Sequence, residues 1–174
     1  RAQSVVVVVS RSGILVHRNL AWGTGPLAQK LAENLRLEGG GRDVDFLLRK
    51  HGLLHAVSDD TAGEDGANDR GASSAVSQLL TPLAKQLGHE IHNVLGYLRS
   101  LASNVAFGGA FLYGAGVHVA GLERYLAQAL NMTVRSMHPF AGLGTARRAV
   151  TPHAEEAAHY VLALGLGHRS VRWI

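Results

Sequence analysis

Residues 111–122 read Phe111-Leu112-Tyr113-Gly114-Ala115-Gly116-Val117-His118-Val119-Ala120-Gly121-Leu122. With Ala110, the first three form a short apolar run that predicts a buried strand. Gly114, Ala115 and Gly116 follow as a turn of small residues. Leu122, Leu126 and Leu130 then align at helical spacing over residues 121–130. Strand, tight turn and helix in this order predict a place where main chain approaches a flat or anionic ligand closely, with free N–H groups at the start of the helix. The same residues equally serve a plain strand-to-helix connection in which the glycines are structural.

Downstream, Met132 to Ser136 alternates as a strand, and His138-Pro139-Phe140 leaves it. A last helix is expected from Pro152 through Leu164. Upstream, Thr81-Pro82 predicts a helix start, a capping residue followed by proline at the first helical position. Leu83, Leu87, Ile91, Val94, Leu95, Leu98 and Leu101 then recur at spacings of three and four, giving about six turns with one apolar face. At the other end of the chain, Val5 to Val9 is β-branched throughout and predicts a strand buried on both faces. Ser10-Arg11-Ser12-Gly13 is a turn and Ile14–Arg18 resumes a strand, so the two form an antiparallel hairpin. Thr24 is placed to cap the next helix and Pro26 suits its first turn. Leu27, Leu31 and Leu35 form its stripe. Val44, Leu47 and Leu48 mark a second short helix within 43–54. Ser58 to Ser74 reads as an acidic loop, with Asp59, Asp60, Glu64, Asp65 and Asp69 at spacings that do not match a calcium-binding loop. The element order is an α/β arrangement.

Composition narrows the function. The 174 residues contain no cysteine, which excludes a disulfide scaffold, a cysteine nucleophile and a thiolate metal site. Apolar residues at 47% and charged residues at 17% exclude a highly charged disordered chain. The net charge of +4 comes from basic residues spread along the chain rather than clustered, so no nucleic-acid partner is expected. The longest strongly apolar run is five valines against about 20 residues needed to span a bilayer, and no secretory leader is expected. His89-Glu90-Ile91-His92 has the wrong spacing for a zincin pair, which needs histidines at i and i+4, so no metal site is expected. His51 and His55 have that separation, but Gly52 lies between them at a helix end, and they are expected at the surface. No nucleophile elbow, Walker loop or dinucleotide fingerprint occurs.

In this setting residues 113–122 resemble the adenosine motif of the actin/Hsp70-type ATPase fold. More narrowly, the chain resembles the second half of the PilM family of type IV pilus assembly proteins, relatives of the division protein FtsA. Val5–Arg18 resembles the family's hairpin, Asn19–Leu27 its glycine-containing connection, and Asp43–Gly52 its short helix of pattern A-E-x-L-K. Leu83–Leu98 resembles its long helix, with Glu90-Ile91 and Tyr97 in register, and Ala157–Gly167 its closing helix. Ala115 stands where the family usually has glycine, and His138 where it has aspartate before Pro139. The family's Asp-Ile-Gly phosphate motif would lie just before Arg1.

The resemblance implies an actin-like, ribonuclease H-like lobe with a mixed sheet and flanking helices. Residues 1–22 and 105–174 would form the subdomain that holds the sheet, and 23–104 a smaller inserted α/β subdomain. It implies ATP with Mg in the complete protein, contacted in this half by Gly114, Ala115 and Gly116 at the adenine and ribose, Glu90 at the ribose and Ser4 at a phosphate. The chain by itself, starting at Arg1, reads as one lobe of a two-lobed protein, and hydrolysis is not expected of one lobe alone. The implied partner is the cytoplasmic tail of an inner-membrane pilus assembly protein, in the cytoplasm at the inner membrane, with self-association left open. Two other readings stay open: an actin-like interaction module that has lost nucleotide, and an unrelated small α/β enzyme with a phosphate-bearing ligand at 114–116.

Overall fold

A computed structural model describes residues 3–36, 41–53, 67–102, 105–137, 140, 157 and 160–168. Most of the acidic stretch, Gly39 and Gly40, His55, His138 and Pro139, and the helix start at Pro152 lie outside these residues.

The protein is a mixed α/β structure in which two small sheets pack with helices. The hairpin forms as the turn at 10–13 dictates. Strand β1 (Ser4–Ser10) pairs antiparallel with β2 (Gly13–Leu20), from Ser4 opposite Leu20 to Ser10 opposite Gly13, with an irregularity between Val8 and Val9. The Ser10 hydroxyl fastens the turn by donating to the Gly13 carbonyl at 3.2 Å. The valine run is not buried on both faces. Val6 and Val8 are half-buried, whereas Val5, Val7 and Val9 are exposed, Val9 by 66%. Only one face of this strand meets the core, so its β-branched side chains alternate as in any half-covered sheet.

After β2, Trp22 is buried and donates its indole N–H to the Leu83 carbonyl at 2.9 Å. Helix α1 (Thr24–Leu35) begins one residue earlier than a Thr24 cap requires. Gly23 occupies the cap position in extended backbone, and no side chain caps the end. Pro26 lies in the first turn, where its missing N–H leaves no bond unmade. Leu27 and Leu31 are buried and Leu35 packs at the edge of the core, as the spacing of four predicts. Helix α2 (Gly41–Lys50) buries Val44 and Leu48, with Asp43 in its first turn and Arg49 and Lys50 in its last. That charge order complements the helix dipole.

Helix α3 runs from Ala67 to Leu101, 35 residues with Pro82 inside it. It therefore starts well before the predicted boundary and absorbs the end of the expected loop. The reason is burial. Val76 and Leu80 are buried to 0% and 2% exposure and continue the stripe of Ala84, Leu87, Val94, Leu95 and Leu98. Two such side chains stabilise by about 1.5–3 kcal/mol each, which offsets the roughly 3 kcal/mol cost of an interior proline. The proline removes the N–H that would bond the Gln78 carbonyl, and Thr81 donates its hydroxyl to the Ser77 carbonyl at 2.7 Å.

Strand β3 (Ala110–Leu112), a 3-10 turn (Gly114–His118), helix α4 (Leu122–Leu130) and strand β4 (Val134–Ser136) follow. β4 returns parallel to β3, with Ala110 opposite Val134 and Leu112 opposite Ser136. Helix α4 makes the crossover that a parallel pair needs. The described part of the last helix is α5 (Val161–His168). The single mixed sheet expected from the resemblance does not form among the described residues: β1 and β2 make one two-stranded sheet, and β3 and β4 another. One apolar core nevertheless joins Leu20, Leu31, Leu48, Leu80, Leu126 and Val134. Among the described residues no helix is long and apolar enough to cross a membrane.

This packing sets the response to two substitutions. Leu126→Ala, at a position 1% exposed, lowers the unfolding free energy in urea by about 2–5 kcal/mol. Pro82→Ala, at an exposed position of α3, raises it by about 1–2 kcal/mol through the restored helical bond; a lower midpoint would contradict that account of the helix.

Candidate functional site

The turn after β3 is built by its glycine. Gly114 has φ +76°, and the space that a Cβ would fill there is open, so backbone conformation rather than room demands glycine. Ala115 and Gly116 continue into the 3-10 turn, which closes with Val119 N–H donating to the Gly116 carbonyl at 3.1 Å. This turn and residues 119–121 separate the glycines from α4. The first N–H of α4 is also taken, because Leu122 donates to the Val119 carbonyl at 3.1 Å. The free N–H groups expected from α4 directly after the glycines are thus not all available.

A cleft of about 920 Å³ lies between β1, β3 and one face of α3. Ser4, Gly114, Ala115 and Gly116 all line it, with Leu87 and Ile91 of α3 on the far wall. Four of the five residues singled out in the sequence therefore share one cleft. Glu90 does not line it. Its carboxylate pairs with Arg18 on β2 at 3.5 Å, an exposed ion pair of the kind that contributes about 0–1 kcal/mol. The i, i+1 relation explains the separation: Ile91 turns into the cleft and Glu90 sits about 100° around the helix.

Behind the turn is a second, smaller cavity of about 40 Å³, lined by Thr24, Asp45, Leu48, Arg49, Ala115 and His118. Sequence reading missed its polar members. The signal was present but weak: Val44 and Leu48 fix the buried face of α2, and Asp45 and Arg49, four apart, lie together beside it. Nothing local links them to a turn more than sixty residues away. The cavity joins a carboxylate, a guanidinium, an imidazole and a hydroxyl around the methyl group of Ala115. Its volume holds one or a few waters; Thr24 and Ala115 also line the larger cleft, and Asp45 and Arg49 are exposed to solvent.

Among the described residues no three His, Cys, Asp or Glu side chains could together hold a metal ion. His89 and His92 are both exposed on α3, whereas His51 is buried rather than at the surface. Among the described residues the clear titration shift is at Tyr125 on α4, whose phenol is raised above its ordinary value by desolvation. The folded state favours the neutral phenol, so the unfolded chain ionises first and stability falls as pH rises through the phenol range. Tyr125→Phe removes this loss. The variant and the parent should diverge in melting temperature above about pH 10, the variant retaining more of its neutral-pH value; parallel curves would contradict the shift.

No family model and no curated protein matches the chain. The comparison with solved structures places it in a class: its fold is PilM-like. One matching structure is the "PilM-PilN type IV pilus biogenesis complex", with a TM-score of 0.64 over 95% of this chain at 15% sequence identity. This chain spans 41% of the length of that one. At that identity the likeness establishes the fold alone.

Proposed function

We propose that this chain is the nucleotide-binding lobe of an actin-like scaffold that acts in type IV pilus assembly. The observation that carries the reading is the fold shared with the chain of a PilM–PilN pilus biogenesis complex over 95% of these residues. The convergence of Ser4 and Gly114–Gly116 on one cleft supports it. In this reading the division into 1–22 with 105–174 and an inserted 23–104 holds, and a pilus assembly protein of the inner membrane binds through its tail, in the cytoplasm. The tail and the inner membrane are what the resemblance implies; the neighbour's name supports a pilus biogenesis complex alone.

The residues present fit half of a nucleotide. Gly114–Gly116 offer main chain to a base, and Asp45 offers a carboxylate to ribose hydroxyls while Arg49 offers a planar cation. For Mg-bound phosphates the fit is poor: the described lining of the cleft holds the Ser4 hydroxyl but no carboxylate. Phosphoryl transfer needs metal and donors on both sides of the phosphates, so this chain's residues bind and orient, and no hydrolytic step is assigned to them. One observation favours a second reading, an interaction module without nucleotide. Ala115 lines both cavities, at the position where the family pattern has glycine.

Calorimetric titration with ATP and magnesium separates the two. The nucleotide reading expects weak, saturable binding near millimolar, and Asp45→Ala and Arg49→Ala each weaken it about tenfold, the equivalent of 1.4 kcal/mol. Ala115→Gly tightens it. Absence of any heat at several millimolar nucleotide, for the chain and for any longer protein that contains it, would leave the interaction module.

A further inference from the structure

The site described above depends on how α2 is held, because Asp45 and Arg49 reach the Gly114–His118 turn only if the helix lies against it. The hold is main chain on main chain. Ala120 donates its N–H to the Leu48 carbonyl at 3.0 Å, and Leu53 donates its N–H to the Ala120 carbonyl at 2.7 Å. The Leu48 carbonyl is one of the last four in α2, which the helix itself leaves without partners. Gly52 lies between the two bonds. Its own N–H closes the helix end on the Leu47 carbonyl at 3.2 Å, and its φ is +43°. A Cβ at Gly52 would stand 2.7 Å from the Ala120 nitrogen and 2.9 Å from its carbonyl carbon, and closer still to the carbonyl oxygen. Real side chains do not occupy such positions. All three obstacles are backbone atoms, so nothing can rotate aside.

We infer that Gly52 is the positioning residue of this site: its missing side chain lets residues 48–53 lock onto Ala120 and so sets Asp45 and Arg49 against Ala115 and His118. The inference rests on the reading of that cavity as the ligand site, but the lock itself is a property of the backbone. Any side chain at position 52 must push α2 away from the 3-10 turn. Leu53 and Ala120 then lose their partners together, while α4 and the β1–β2 hairpin, held by other contacts, stay in place.

The absence of cysteine from the chain makes the test direct. Asp45→Cys with Ala115→Cys gives a pair unique in the molecule, and a short bis-maleimide reads their spacing. The expected result is efficient cross-linking with Gly52 present and a rate at least about fivefold lower with Gly52→Ala, an opening of about 1 kcal/mol at that seam. Gly52→Asn separates the two demands on the position. Asparagine tolerates a positive φ but carries the same Cβ, so it should behave as alanine does. Equal cross-linking in all three backgrounds, Asn behaving as Gly, or no cross-link even with Gly52, would each overturn the inference.

Amide exchange supplies a readout that general destabilisation does not mimic. In Gly52→Ala the Leu53 and Ala120 amides exchange about tenfold faster relative to the Tyr125 amide of α4, which a uniform loss of stability would not change. If the variant does not fold, the parent decides: its Leu53 and Ala120 amides must be protected and open as one unit, and unprotected or independent exchange refutes the lock. Mg·ATP titration of a folded variant should show at least a tenfold weaker affinity. A parent that binds no nucleotide would sink the proposed function, while cross-linking and exchange would still decide the role of Gly52.

Discussion

The apolar face of α3 is the constraint on which the rest of the structure depends. Val76, Leu80, Ala84 and Leu87 present a continuous wall, and α1, α4 and the end of β2 all find their cover against the same core. Neither two-stranded sheet is large enough to be stable alone. Each persists because one of its faces, or the helix that connects its strands, rests on that wall. The strength of the demand is visible at Pro82, where burial of the preceding turns keeps the chain helical through a residue that ordinarily starts or stops a helix.

The candidate site inherits its geometry from this wall by two routes. From one side, β3 delivers Gly114–Gly116 to the rim of the cleft and Ile91 of α3 closes the opposite wall. From the other, α2 brings its polar stripe up behind the same turn. The first route is set by side-chain packing and tolerates small changes of volume. The second is set by main-chain contact at Gly52 and Ala120, which has no slack. Fixed and adjustable walls thus meet at Ala115.

Much of this was legible in the sequence because it is local. The Ser10–Gly13 turn between β-branched runs specifies the hairpin, the four-residue spacing of Leu27, Leu31 and Leu35 specifies α1, and the glycine turn specifies a strand-to-helix connection. The resemblance to PilM-type proteins agrees with the fold likeness at the level of the fold. What was not legible depends on contacts between distant residues. Thr81-Pro82 carries a valid start signal that loses to the burial of Val76 and Leu80. The valine run does not reveal that only one of its faces is covered. The resemblance implied Glu90 at the ribose, but one step of helix rotation from Ile91 turns it to Arg18 instead. Asp45, Arg49 and His118 could not be grouped without knowing that α2 lies against Ala120.

The indole of Trp22 bonds the carbonyl of Leu83, the residue immediately after Pro82. The helix is therefore fastened to the end of the hairpin beside the one rung its own ladder lacks. In mechanical terms that point is a pinned joint: the missing rung at Pro82 is where a helix bends most readily, and the Trp22–Leu83 bond holds the chain beside it. Val76 and Leu80 on the near side share one core with Leu87 on the far side, so both segments stay tied to the same wall and the joint limits the bend between them.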